Sequence, residues 1–215
     1  MQLIWLRSDL RIEDNTALSA ACERGPTLAL WLLSPGQWQA HDDAACKVDF
    51  WLRNLREIRH SLDALNIPLL IRSIDTWEQA PAAIMALCHQ YRIESVHWND
   101  EYGINEQRRD QAVRVLLQRS AIQAHSYLDQ LFFRPGTILT RSGDYFQVFS
   151  QFKKNCLEHL HRSLPALAPR VKPQSPLKIA SDPIPEQIEG FDTPPSMMMG
   201  HGLPYYARQL EALGF

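Results

Sequence analysis

The residues best suited to chemistry follow apolar runs of the chain. Asn105 and Glu106 lie where a helix is predicted to begin, and His41 follows the second apolar run. A carboxylate at a helix N-terminus can accept two parallel hydrogen bonds from a planar edge with two donors, such as a pterin ring presents. The alternative assigns Asn105 to the helix N-cap, Glu106 to a favourable first-turn charge and His41 to an exposed loop.

A second polar segment, Arg7-Ser8-Asp9-Leu10-Arg11, alternates in charge directly after the first apolar run. One interpretation is a solvated loop with surface ion pairs, each contributing less than ~1 kcal/mol. The other is a polar interface to a ligand or to a second domain. The spacing of the charges does not decide between them.

A third segment, 145–153, combines aromatic and basic residues. It is interpreted either as a helix start that buries two rings or as a surface on which nucleic-acid bases stack. The formal net charge of −2 and the pI near 6.4 disfavour a chain that holds a DNA duplex by phosphate neutralisation alone.

Several motifs of known chemistry do not occur in the sequence. It contains no G-x-G-x-x-G or G-x-x-x-x-G-K-[ST] phosphate loop, no H-E-x-x-H, no paired Cys/His spacing and no G-x-S-x-G. We therefore expect no metal site. The four cysteines are widely spaced, and neither a signal peptide nor a run of ~20 apolar residues occurs, which predicts a cytoplasmic protein without a membrane span.

Apolar runs alternate with amphipathic stretches along the first 130 residues. Strands are predicted at 3–6, 27–33, 68–72, 95–98 and 121–127, and helices at 15–23 (capped by Asp14 or Asn15), 43–65, 76–91, 105–119 and 148–161. Five β–α units predict an α/β fold. We expect a doubly wound, Rossmann-like, five-stranded parallel sheet of order 3-2-1-4-5 in three α/β/α layers.

In such a sheet, ligands bind beyond the carboxyl ends of the strands where the strand order reverses. The loops that reach this point are 7–15, 34–43 and 99–105. Together with the start of the following helix they carry a dense polar set, which comprises Arg7, Asp9, Arg11, Asp14, His41, Asn99, Asp100, Glu101, Asn105 and Glu106.

The composition changes after the predicted α/β domain, which we assign to residues 1–162. Residues 163–204 contain nine of the fourteen prolines and are predicted to be an interdomain linker. Residues 205–215 contain apolar side chains that nothing else in the chain covers, so we expect them to start a further domain.

Taken in order, the polar segments form a recognisable series. The series is Trp5-x-Arg7-x-Asp9-Leu10-Arg11-x-x-Asp14-Asn15, Ser34-Pro35-x-Gln37-Trp38-x-x-His41, Asn66-Ile67-Pro68-Leu69-Leu70, Tyr102-x-x-Asn105-Glu106-x-x-Arg109-Asp110, and Pro135-Gly136 with Gly143, Tyr145, Val148-Phe149 and Phe152-Lys153. It resembles the DNA photolyase/cryptochrome family, and within it the bacterial cyclobutane-pyrimidine-dimer photolyases that carry a folate antenna. One departure is Gln151, where many relatives have proline.

The resemblance implies a division of labour between two domains. The α/β domain holds a light-harvesting pigment, often methenyltetrahydrofolate and in some members a deazaflavin or a flavin. A helical C-terminal domain, absent here, holds FAD and the damaged DNA. The full-length parent is then a deoxyribodipyrimidine photo-lyase, a carbon–carbon lyase, and this chain alone is expected to be inactive.

The same resemblance implies roles for three residues. Glu106 binds the amine edge of the pterin, Asn105 supports it and His41 lines the cleft. Further contacts come from the helical domain in the family, so the site in this chain is expected to be half-built. The implied partners are UV-damaged DNA and the helical FAD domain.

Two other functions stay open at this point. A cryptochrome-like blue-light photoreceptor uses the same scaffold. A stand-alone nucleotide-binding α/β module is disfavoured by the missing glycine-rich phosphate loops.

Overall fold

Five short apolar strands form one parallel sheet in the computed structural model, which describes residues 1–186 and residue 188. The strands are β1 (Gln2–Leu6), β2 (Thr27–Leu33), β3 (Leu69–Ser73), β4 (Ser95–Asn99) and β5 (Gln123–Tyr127). Their order is β3-β2-β1-β4-β5, and every neighbouring pair is parallel. The predicted fold class and strand order are confirmed.

The helices occupy the predicted positions, with differences at their ends. They are α1 (Thr16–Arg24), α2 (Pro35–Ala40), α3 (Ala45–Ala64), α4 (Ala80–Tyr91), α5 (Ile104–Arg119) and α6 (Phe149–Arg162), with a 3₁₀ turn at Trp77–Gln79. Helix α2 was not predicted from the sequence, although Pro35 suits its first turn. Asn105 is not the cap of α5, because Gly103 holds that position. Of the two predicted caps of α1, Asn15 is the right one: its side chain accepts from Leu18 N at 3.1 Å.

The two faces of the sheet are covered by different helices. Along β1, Ile4 and Leu6 belong to the hydrophobic cluster that includes α1 and α3, whereas Leu3 and Trp5 belong to the cluster that includes α4 and α5. This alternation follows from the two-residue period of a strand. Both faces of the sheet are therefore buried, as the continuous apolar run of β2 predicts.

Residues 163–186 contain no helix or strand and run along the α/β body. Asp182 N donates to Leu69 O at 2.8 Å, and Ile71 N donates to Asp182 Oδ2 at 2.9 Å. Leu69 N donates to Ser181 Oγ at 3.0 Å. This segment therefore covers the free edge of β3, which removes unpaired strand edge from solvent. Residues 205–215, the predicted start of a further domain, lie outside the described residues.

Helix α6 and the loop before it are largely exposed. The helix buries no residue, and Tyr145 and Phe149 are 75% and 73% exposed. The interpretation of this segment as a helix start that buries two rings is therefore wrong. None of the helices among the described residues is long and apolar enough to cross a membrane.

Candidate functional site

A cavity of about 380 Å³ opens at the carboxyl ends of β1 and β2, between them and the start of α5. His41 and Glu106 both line it. Asn105 does not, because its side chain is exposed on the outer side of α5. The structure thus brings together two of the three predicted site residues.

Glu106 occupies the third position of α5, and its carboxylate folds back over the helix start. A Cβ atom added to Gly103 would lie 2.0 Å from Glu106 Oε2, so only glycine leaves the carboxylate this position. Within the described part of the chain, the carboxylate makes no hydrogen bond or ion pair. The helix dipole favours a negative charge here. Glu106 therefore presents an unpaired acceptor at the cavity wall.

His41 is fixed at the end of α2. Its Nε2 lies 2.9 Å from Gln37 Nε2, and its ring meets that of Trp77 edge-on with 5.5 Å between centroids. Gln37 Oε1 accepts from Trp77 N at 3.1 Å, which fixes the orientation of the amide. Gln37 Nε2 therefore donates and His41 Nε2 accepts, which places the proton of a neutral ring on Nδ1.

Tryptophan is the commonest residue type in the cavity wall. Five of the six in the chain line it, namely Trp5, Trp31, Trp38, Trp51 and Trp77. The Trp31 and Trp38 rings are 5.7 Å apart, and those of Trp38 and Trp51 are 5.3 Å apart. The clustering of tryptophan in and beside loop 34–43 was the available signal, and it points to a site for a planar ring.

Behind this wall, two arginines and two carboxylates form a buried network. Arg7 Nη1 lies 2.9 Å from both oxygens of Asp110. Arg109 donates to Asp110 at 2.9 Å and to Glu101 at 2.8 Å. Burial raises the pKa of Glu101, but the charges of Arg7 and Arg109 outweigh it, so the pKa lies below its ordinary value. The four charges cancel one another.

The interpretation of residues 7–11 as a solvated loop is therefore wrong for two of its members. Arg7 and Asp9 are only 8% and 5% exposed. Asn99 Nδ2 donates to Asp9 Oδ2 at 2.7 Å and to Asn15 Oδ1 at 2.9 Å, which ties the β1 and β4 loops together. Of the predicted polar set, only Arg7, His41, Glu101 and Glu106 line the cavity; the others hold loops or face solvent.

Among the described residues, no group of three His, Cys, Asp or Glu side chains is placed to hold a metal ion. The cavity instead offers a ligand its indole walls, the unpaired carboxylate of Glu106 and a network of ion pairs with no net charge.

The sequence of the chain matches a known family. A family model described as DNA photolyase matches residues 2–171 of the chain. The chain belongs to the DNA photolyase family. The resemblance drawn from the sequence motifs is thereby confirmed.

Individual members of the photolyase family show the same likeness. The chain is 36% identical over 155 residues to the deoxyribodipyrimidine photo-lyase of Vibrio cholerae. The aligned region covers 72% of this chain and 33% of that protein. A solved structure of a Synechocystis cryptochrome shares the fold with a TM-score of 0.69 and 20% identity, and the match covers 85% of this chain and 39% of that one. The archaeal photolyase of Sulfolobus tokodaii with two FAD molecules shares it with a TM-score of 0.59 and 21% identity, and the match covers 72% of this chain and 34% of that one. This chain spans about a third of the length of the curated relatives it matches.

Proposed function

We propose that this chain is the light-harvesting, pigment-binding domain of a deoxyribodipyrimidine photo-lyase. One observation carries the proposal: the unpaired Glu106 carboxylate lies at the wall of a tryptophan-lined cavity where ligands bind in doubly wound sheets. Because the chain belongs to the photolyase family, we infer that the ligand is a light-absorbing pigment.

The charges around the cavity favour a ligand with a donor-rich or cationic edge. Arg7, Arg109, Glu101 and Asp110 cancel, and Lys47 pairs with Asp43. Glu106 alone leaves a net charge of −1. The adjacent ring N–H and amine of a pterin can donate to its two oxygens, and indole faces attract a positively charged ring system. Methenyltetrahydrofolate has both features.

Each chain residue then has a defined task. Glu106 accepts from the amine edge of the pterin, and His41 borders the ring from α2. Asn105 lies outside the cavity, so its supporting role is confined to the start of α5. The tryptophan walls exclude water and fix the plane of the ring. When bound, the pigment supplies absorption of near-ultraviolet light and passes the energy to a flavin.

A flavin or deazaflavin is the second candidate pigment. The archaeal photolyase with two FAD molecules shares the fold of this chain. Indole walls stack on any planar ring, so the walls alone do not choose between the pigments. The position of Glu106 favours the folate.

The rest of the proposed enzyme lies beyond the described residues. We assign residues 1–162 to the pigment domain, 163–204 to a linker and 205–215 to the start of a helical domain that binds FAD. Reduced FAD would then donate the electron that splits the cyclobutane ring of a pyrimidine dimer. The threefold greater length of the relatives supports this organisation, and the four free cysteines suit a cytoplasmic location.

The segment 131–172 supports the proposed partners, the FAD domain and UV-damaged DNA. It carries seven basic and two acidic residues, whereas the rest of the chain carries fifteen and twenty-two. The net charge of −2 conceals this separation. Phe132, Tyr145 and Phe149 are exposed on the same segment, so it offers apolar area to a docking domain and positive charge to phosphates.

Titration with methenyltetrahydrofolate tests the proposed site. Because five tryptophans line the cavity, binding is expected to quench their fluorescence. Glu106→Gln is expected to weaken binding about tenfold or more, the usual effect of losing a charged hydrogen-bond partner. Glu57→Gln, an exposed glutamate on α3, is the matched control and is expected to leave the affinity unchanged. Equal affinities of the Glu106 variant and the unmodified chain would contradict the proposal.

A further inference from the structure

Arg109 lies three residues after Glu106, on the same face of α5. Its side chain is only 4% exposed, yet it lines the cavity. Nothing in the proposed function uses this residue as a ligand contact.

The guanidinium of Arg109 is held in one orientation. Its Nε donates to Asp110 Oδ1 at 2.9 Å, and its Nη2 donates to Glu101 Oε2 at 2.8 Å. The central carbon lies 4.8 Å from the Trp5 ring centroid and 4.6 Å from that of Trp77. Two ion pairs and two indole rings thus fix the guanidinium before any ligand binds.

One nitrogen of this group has no partner. Within residues 1–186, Nη1 of Arg109 donates to no acceptor. It is also not one of the fully enclosed unpartnered atoms, which are Trp5 Nε1, Arg7 Nε, Trp98 Nε1 and Tyr102 OH. Because Arg109 lines the cavity and is otherwise buried, its unpartnered Nη1 is the atom of this group that a ligand in the cavity can use as a donor.

We propose that Arg109 selects the pigment by donating from Nη1 to an acceptor oxygen on the ring that Glu106 binds. This inference rests on the proposed function, because it takes the cavity to be the pterin site. A pterin presents an oxo group beside its ring N–H and amine. Glu106 accepts from the two donors, and Arg109 donates to the oxygen next to them. Glu106 and Arg109 together therefore recognise the two donors and the acceptor along one edge of the ring.

The preference for an oxygen acceptor distinguishes this role from a structural one. If Arg109 only held Glu101 and Asp110, its loss would weaken every ligand by the same factor. If it donates to the ring oxygen, its loss weakens only ligands that present a strong acceptor there. The measured quantity is therefore a ratio of two affinities.

Two probes that differ at this one atom are 6-methylpterin and its 4-thioxo analogue, which keeps both donors but replaces the oxygen by the weaker acceptor sulfur. Calorimetry on the 215-residue chain is expected to show about tenfold tighter binding of the oxo compound, as for a hydrogen bond to a charged group. In Glu101→Gln/Arg109→Met, which removes one charge of each sign and so limits damage to the fold, the ratio is expected to fall to about one. Arg108→Met is the matched control, since Arg108 is exposed and lies outside the cavity.

Three results would overturn the inference. If the oxo and thioxo probes bind the unmodified chain with equal affinity and Glu106→Gln still weakens their binding, Arg109 does not select the pigment. The proposed function is then unaffected. An unchanged ratio in the double variant shows that atom size sets the preference. Failure of both probes to bind the unmodified chain overturns the inference, and the proposed function falls with it only if methenyltetrahydrofolate also fails to bind.

Discussion

At the scale of single residues, the site depends on which carboxylates already have partners. Glu101 accepts from Arg109 at 2.8 Å and from Ser8 at 2.5 Å, so its lone pairs are largely used. Glu106 lies on the same cavity wall and has no partner among the described residues. Two glutamates five residues apart therefore have different roles, one structural and one available to a ligand.

Gly103→Ala provides a residue-scale test of this available carboxylate. The added Cβ would lie 2.0 Å from Glu106 Oε2, so the carboxylate must move. Since the backbone at Gly103 has an ordinary φ of −64° and the displaced atoms end a flexible side chain, we expect the free energy of unfolding to change by less than ~1 kcal/mol. Pigment affinity is expected to fall as in Glu106→Gln. Fluorescence titration beside thermal unfolding measures both, and an unaltered affinity would contradict the proposed position of the carboxylate.

A buried histidine on β4 gives a second residue-scale prediction. His97 is 0% exposed, with Ser95 Oγ 2.7 Å from Nε2 and Tyr127 OH 2.9 Å from Nδ1. Burial, followed by the charges of His125 and Arg24, lowers the pKa of His97 from 6.5 to about 3. The unfolded chain thus binds a proton that the folded chain does not. The stability that neutral His97 provides is complete above pH 6.5 and is lost as the pH falls towards 3.

Urea unfolding at a series of pH values measures this loss. One such proton contributes a slope of up to ~1.4 kcal/mol per pH unit to the unfolding free energy. His97→Asn is expected to flatten the profile between pH 6.5 and 4, whereas His60→Asn, on the exposed face of α3, is the control. A parallel profile for the His97 variant would show that another group sets the acid sensitivity.

At the scale of elements, the segment after α6 acts as an edge cover for β3. Asp182 accepts from Ile71 N at 2.9 Å, and its own N–H donates to Leu69 O at 2.8 Å. Asp182→Ala is expected to lower the free energy of unfolding by about 1–2 kcal/mol, since a strand amide loses its acceptor. It is also expected to increase aggregation by exposing strand edge. Urea unfolding and light scattering measure these effects, with the exposed Glu158→Ala on α6 as control; equal scattering would contradict the edge-cover role.

At the scale of the whole molecule, charge is separated along the chain. Segment 131–172 has a net charge of +5 and the remainder −7, from seven basic and two acidic residues against fifteen and twenty-two. We expect weak DNA binding by this chain that falls with rising salt. Lys153→Gln/Lys154→Gln is expected to reduce both the affinity and the salt dependence, whereas Arg53→Gln/Arg119→Gln, at exposed sites elsewhere, is not. Salt-dependent fluorescence anisotropy with a labelled oligonucleotide measures this, and equal losses in both variants would show that only total charge matters.

The sequence by itself determined the sheet, its order and the family. Strands buried on both faces require continuous apolar runs, short β–α units almost always form right-handed crossovers, and the order 3-2-1-4-5 puts the most apolar strands in the middle of the sheet. Loop positions then followed, so His41 and Glu106 were placed near the same strand ends without a structure. The cap of α1 was predictable as Asp14 or Asn15, because such caps depend on residues three positions apart, and the structure selects Asn15.

Only the tertiary structure decided which of the polar residues were already paired. Arg7 meets Asp110 across 103 positions of sequence, and Asn99 meets Asp9 across 90. Local spacing carries no information about such contacts, because they form only when distant strands and helices pack. The same packing turned the indoles of β1, β2 and α3 towards one cavity. An unpaired Glu106 is therefore a property of the folded chain, since the charges that neutralise its neighbours come from other elements.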